Sequence, residues 1–215
     1  MQAAKEMDTP LEHVVDTVSS IPGYKSAFAE VFPGAPITID LVVKAIADFE
    51  RTIVSEKAPF DAWIEGDEKA ISASATRGFV LFNDKGHCAT CHSGWRLTDD
   101  GFHDVGVDSA DPGRGKLMPQ NPIVAYAFKT PSLRNVALRA PYMHDGSLKT
   151  LRDVIDFYDG GFVKRESLSS HMETLHLNEN EKVDLLAFLE SLTSKNEPFT
   201  LPVLPPRSGA RESKQ

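Results

Sequence analysis

The sequence predicts an all-α fold with long ordered loops. Apolar residues recur at helical spacing nearly everywhere, and no run of residues alternates convincingly as a strand would. Glycine, aspartate and proline gather in one internal stretch, 94–130, that reads as ordered loop. A third observation fixes what the helices surround: the pentapeptide Cys88-Ala-Thr-Cys91-His92 holds both cysteines of the 215-residue chain.

Leu11, Val14, Val15 and Val18 form a short stripe that Pro22-Gly23 should stop. Thr38 or Asp40 can cap a longer helix in which Leu41, Val42, Ala45, Ile46, Phe49 and Ile53 share a face. Ser72 or Ser74 begins a helix that carries Phe79 and Phe82 towards Gly86, just before the cysteine motif. After the loop, Ser147 can cap a helix over 148–158, closed by Gly160-Gly161. Asn178 with Glu181 resembles a capping box for a last helix bearing Leu185, Leu186, Phe188, Leu189 and Leu192. From Pro198 the composition is that of a tail.

The C-x-x-C-H spacing reads as a covalent attachment site for haem c. Two thiols about one turn apart can add to the two vinyl groups of one porphyrin. The following imidazole then lies under the iron as its proximal ligand. A disulfide redox pair needs no histidine and prefers a βαβ setting. A structural zinc site wants four ligands, and no second cysteine pair exists. Gly78 and Phe82 lie four apart on the helix entering the motif, where a glycine lets another helix cross closely. The last helix offers Phe188 and Leu192 as partners. Crossed first and last helices around a haem are the cytochrome c arrangement.

Composition is that of a globular protein, with 41% hydrophobic residues. A formal charge of −8 argues against nucleic acid as a partner, and the apolar runs are too short to span a bilayer. Cytochromes c mature outside the cytoplasm, so a periplasmic location is expected. The start lacks a signal-peptide core, so the chain is expected to be processed or part of a longer one.

Beyond the haem motif, Phe49-Glu-Arg-Thr, Phe60-Asp-Ala-Trp, Gly78-Phe-Val-Leu-Phe, Thr130-Pro-Ser-Leu-Arg-Asn135, Ala140-Pro-Tyr-Met-His-Asp-Gly146 and Ser147-Leu-Lys-Thr-Leu occur in this order. Together they resemble the bacterial di-haem cytochrome c peroxidase family, MauG-type enzymes included. The resemblance covers roughly residues 5–195. It implies two haem c groups in two cytochrome domains, one binding peroxide and the other storing or relaying electrons. With one C-x-x-C-H, this sequence is similar to the second domain preceded by helices that finish the first. Residues 1–62 would complete the absent first domain, 63–196 would form a cytochrome c domain, and 197–215 a tail. A first haem domain, or a partner chain supplying it, is therefore an expected partner.

The resemblance also nominates the second iron ligand. By position alone Met118, Met143 and Met172 are candidates. The family's peroxidases carry their ligating methionine seventeen residues past the proline of Pro-Tyr-x-His. Counting from Pro141 gives Tyr158, and the MauG-type enzymes carry tyrosine there. Leu151, Ile155 and Tyr158 also share one stripe. Phenolate is a hard donor that favours Fe(III) over Fe(II). That tilts the implied function towards a His92/Tyr158 haem holding oxidising equivalents while hydrogen peroxide drives oxidation of a protein partner. Tyr158 and His92 are thus the residues expected to carry the chemistry.

Lesser expectations follow from the same resemblance. The carbonyls of Arg139 and Pro141 match the family's interdomain calcium ligands. His144 and Arg134 are candidates for haem-propionate contacts. Trp95 can assist electron transfer, although packing is the plainer role. The MauG-type relay tryptophan would stand two residues before Cys88, where this chain has Gly86. The alternatives are an ordinary di-haem cytochrome c peroxidase fed by a small cytochrome, and a mono-haem electron-transfer cytochrome c with a methionine ligand.

Overall fold

The computed structural model describes residues 2, 7–195 and 202–206 and divides the chain into two compact units, with the break after Val54. The first unit contains α1 (Leu11–Ser20), α2 (Pro22–Val31) and α3 (Ile39–Thr52), with Ile21 and Val42 buried. Pro22 does not stop the chain as expected. It occupies the first turn of α2, where a missing N–H costs nothing and φ is already helical. Thr38 caps α3, its hydroxyl accepting from Leu41 N, so Asp40 lies inside the first turn.

The second unit begins at Ser55 and holds α4 (Pro59–Ile64), α5 (Ala73–Asn83), α6 (Leu151–Asp156) and α7 (Glu179–Ser191). It starts ahead of the expected boundary at 63 because α4 belongs to its core. Phe60 stacks on Trp63 at 5.9 Å and meets Phe188 edge-on at 5.3 Å. The Asp61 carboxylate accepts from Ala58 N and so caps α4. Ser72 caps α5, accepting from Ala75 N at 3.1 Å.

The crossing of α5 and α7 organises the unit. A Cβ on Gly78 would lie 1.9 Å from Asp184 O and 2.8 Å from Phe188 Cβ, so only glycine permits this approach. Phe82 then packs on Phe188 with ring centroids 4.9 Å apart, and Phe188 and Leu192 are fully buried. At the edge of the crossing, Arg77 binds the Asp184 carboxylate through two nitrogens, and the Ser74 hydroxyl donates to it at 2.5 Å. The Asn178/Glu181 capping box at the start of α7 forms in both directions.

Two local expectations need correction. The helix after the loop is capped by Thr150, whose hydroxyl accepts from Asp153 N while Asp153 accepts from Thr150 N. Ser147 instead closes a turn on Asp145, so α6 starts later than expected. The 94–130 stretch is not loop alone. It contains a two-stranded antiparallel ladder, β1 (Phe102–His103) with β2 (Phe128–Lys129), too short to show an alternating pattern in sequence. The tail lies largely outside the described residues.

Candidate haem site

Cys88 opens a short 3₁₀ turn, Cys88–Thr90, which α5 delivers to the core side of the unit. Cys88 and Cys91 are both free thiols, as attachment chemistry requires. Burial pushes the Cys88 thiol up to about 12 and raises Cys91 as well. Gly86, one residue from the turn, has no room for a side chain: a Cβ would sit 2.8 Å from Leu81 O and 3.2 Å from Cys88 Sγ. A tryptophan at that place would require the backbone to move.

His92 is oriented by the turn that follows it. Its Nδ1 lies 3.0 Å from Leu97 O. A carbonyl can only accept, so Nδ1 carries the proton and Nε2 keeps its lone pair for a metal. Burial lowers the imidazole's pKa, which keeps it neutral. The two carbonyls before Leu97 are also held: Ser132 Oγ donates to Arg96 O at 2.6 Å and Arg134 Nε to Trp95 O at 2.8 Å. Three successive carbonyls thus lock the loop that aims the histidine, a support that spacing could not reveal.

Tyr158 approaches the cysteines from another element. α6 runs into a π-type turn, Phe157–Gly161, on which Tyr158 is half-buried. Gly160 ends the turn at φ +129°, a conformation that L side chains rarely adopt. Asp159 anchors it, accepting from Leu177 N at 3.0 Å and pairing with Lys182 at 2.9 Å. The phenol is raised above its ordinary pKa by burial and then by the Cys88 and Cys91 sulfurs. Among the described residues its hydroxyl has no hydrogen-bond partner.

The remaining expected residues fall as follows. Arg134 Nη1 is 2.5 Å from Asp61, so its charge is already paired within the protein. His144 is exposed and stacks on Phe128, ring centroids 3.6 Å apart. Arg139 and Pro141 lie exposed at the start of the Pro141–Gly146 turn, and Met143 sits within it at φ +67°. Met118 and Met172 lie in the loops, half-buried. Trp95 is 69% exposed, so it does not have the packing role expected of it.

Other groups went unforeseen. Asp104, its side chain wholly buried, takes two hydrogen bonds from Arg165 and one from Ser167. This joins the loop after His92 to the loop after Tyr158. Asn135, buried at φ +58°, accepts from Ser194 N and Oγ and ties the Thr130–Asn135 segment to the end of α7. The Cys91 thiol, Asp99 carboxylate and His103 imidazole converge within 4.8 Å. Burial opposes ionisation of Asp99, yet His103, Gly101 N–H and Thr130 outweigh it and hold the carboxyl at about 2. Once Cys91 carries a thioether, this group loses its only thiolate.

The donor set fits haem c: two reduced thiols, a neutral imidazole whose Nε2 keeps its lone pair, and a half-buried phenol without a hydrogen-bond partner among the described residues. Comparison with known proteins agrees. The family described as cytochrome c matches residues 75–193, and di-haem cytochrome c peroxidase matches residues 1–69. The chain belongs to the di-haem cytochrome c peroxidase and MauG family. It is 48% identical over 206 residues to methylamine utilization protein MauG of Methylorubrum extorquens, covering 94% of this chain and 58% of that protein. The namesake from Methylophilus methylotrophus is 45% identical, with 94% and 61% covered. The cytochrome c551 peroxidase of Nitrosomonas europaea is 34% identical, with 94% and 59% covered. Among solved structures, a MauG-like protein associated with microbial copper homeostasis superposes with a TM-score of 0.76 at 29% identity, covering 86% of this chain and 62% of that one. The chain thus spans about 60% of the length of these curated relatives. Among the described residues, no helix is long and apolar enough to cross a membrane.

Proposed function

We propose that this chain supplies one haem c domain of a periplasmic MauG-like peroxidase, with His92 and Tyr158 as axial ligands. A second haem would come from a first domain or partner chain. The observation that carries the reading is Tyr158: a half-buried phenol on the turn after α6, raised above its ordinary pKa by burial and then by the Cys88 and Cys91 sulfurs, with no hydrogen-bond partner among the described residues. A half-buried phenol whose hydroxyl is not used within the protein is open to a ferric iron, for which phenolate is a hard donor.

Each side chain then has a defined task. Cys88 and Cys91 would hold the porphyrin through thioether bonds, and His92 would offer Nε2 to the iron while Leu97 O holds its Nδ1 proton. Tyr158 offers phenolate oxygen after giving up its proton. Haem c, once bound, supplies the one-electron chemistry through which oxidising equivalents from hydrogen peroxide would reach a protein partner. Higher identity to the two MauG proteins than to the cytochrome c551 peroxidase favours this reading over an ordinary peroxidase. Calcium between domains, with Arg139 and Pro141 carbonyls as part of its shell, belongs to the same proposal. Two carbonyls alone cannot supply its six to eight oxygens.

The test compares donors in the protein as it occurs in the cell. With hydrogen peroxide and a reduced small cytochrome c, slow donor oxidation and a long-lived oxidised protein are expected. Rapid turnover of the small cytochrome, with no persistent oxidised form, would return the chain to the ordinary peroxidases.

A further inference from the structure

Away from the haem residues, the 100–130 region forms an open crevice of roughly 300 Å³ whose walls include Phe102, Asp111, Arg114, Lys116, Phe128 and Lys129. We propose that this crevice is a binding site for a small aromatic carboxylate, with Arg114 as the group that holds the acid. The volume is at the lower end of small-molecule sites and suits one flat ring system rather than a folded partner.

The charges single out Arg114. Lys116 is paired with Asp111 at 2.7 Å, and Lys129 with Asp100 at 2.6 Å. Arg114 is half-buried, and among the described residues its guanidinium has neither ion pair nor hydrogen bond. Its central carbon lies 4.1 Å above the Phe102 ring. Stacking fixes the plane of the guanidinium while its donor edge stays available, the arrangement that receives a carboxylate through two parallel hydrogen bonds. A chain of net charge −8 that leaves a half-buried cation uncompensated has a local preference for an anion.

The apolar part of the ligand has its own walls. Phe102 is paired to Lys129 and His103 to Phe128, so Phe102 and Lys129 share a face of the ladder, and it is the Phe102 ring that carries Arg114. The Arg114 N–H donates to Ala127 O at 3.0 Å, which holds the loop against β2. Leu117, 79% exposed, stands at the crevice as an apolar side chain that a ligand would cover.

The experiment is calorimetric titration of the haem-loaded protein with 1-naphthaleneacetate, and with 1-naphthaleneacetamide as its neutral counterpart. The acid is expected to saturate one site, and the amide to bind at least about tenfold more weakly, because it leaves the guanidinium unpaired. Arg114→Gln should weaken the acid at least about tenfold and leave the amide unchanged, while Arg114→Lys should fall between, keeping charge but losing the fork. The haem spectrum confirms that each variant is folded. Phe102→Leu, which removes the ring beneath the guanidinium, should also weaken the acid. Equal binding of acid and amide, no saturable binding of the acid, or an Arg114→Gln titration like the wild type would each overturn the proposal.

Discussion

The two sides of the haem site are built differently. On the His92 side the protein completes the hydrogen bonding itself: Leu97 O takes the Nδ1 proton, and the neighbouring carbonyls are held by Ser132 and Arg134. On the Tyr158 side the turn is equally well anchored, through Asp159 to Leu177 and Lys182, yet the phenol at its apex has no protein partner among the described residues. The histidine is oriented by the protein's own carbonyls, whereas the tyrosine hydroxyl is left for the iron only in the proposed reading. Hydrogen-bond completeness thus separates the two candidate ligands more than burial does.

The largest effect expected from breaking this contrast is on the attachment side. Cys88→Ala with Cys91→Ala should abolish covalent haem, read as loss of haem stain at the chain's mass on a denaturing gel, and His92→Ala should prevent a stable haem-loaded fold. A haem-stained band in the double variant would contradict the attachment reading.

Next comes the lock between the two sides. Burial opposes ionisation of Asp104, but Arg165, Ser167 and Gly106 N–H outweigh it and hold the carboxyl below its usual range. Asp104→Ala strands a half-buried guanidinium and should cost about 3–5 kcal/mol in denaturant unfolding. Asp184 is held low by Arg77 in the same sense. Groups depressed in the folded state contribute fully above the unfolded carboxylate pKa of about 4, and that contribution is lost as pH falls through the folded values. Stability should therefore be flat near neutrality and drop below about pH 4, and Asp104→Ala should flatten that drop.

Smaller effects sharpen the contrast from the helices that deliver each side. Gly78→Ala, on the helix leading to His92, drives a methyl into Asp184 O and should cost about 2–3 kcal/mol. Thr150→Ala, at the start of the helix leading to Tyr158, should cost about 1 kcal/mol, and Ser147→Ala much less. Equal effects of the last two would restore the earlier cap.

These residues also show what the sequence could convey. Gly78, Phe82, Phe188 and Leu192 announced the helix crossing because a glycine four residues before an aromatic has a steric meaning at any crossing. The C-x-x-C-H motif was legible because porphyrin chemistry dictates its spacing. Asp104–Arg165, Asn135–Ser194 and the carbonyl locks around His92 were not, because each joins residues far apart in the chain with no local pattern. Thr150 was passed over for Ser147 because both are good cap residues, and only the turn on Asp145 decides between them. The pairing of Arg134 with Asp61 was equally hidden, because the two lie seventy-three residues apart.

The near-infrared absorption of the ferric, haem-loaded protein tests the central claim most directly. With Tyr158 on the iron, the sulfur-to-iron band of His/Met cytochromes c is absent, and Tyr158→Phe changes the spin state while covalent haem is retained. A sulfur-to-iron band in the wild type that disappears in Met143→Ala would contradict it.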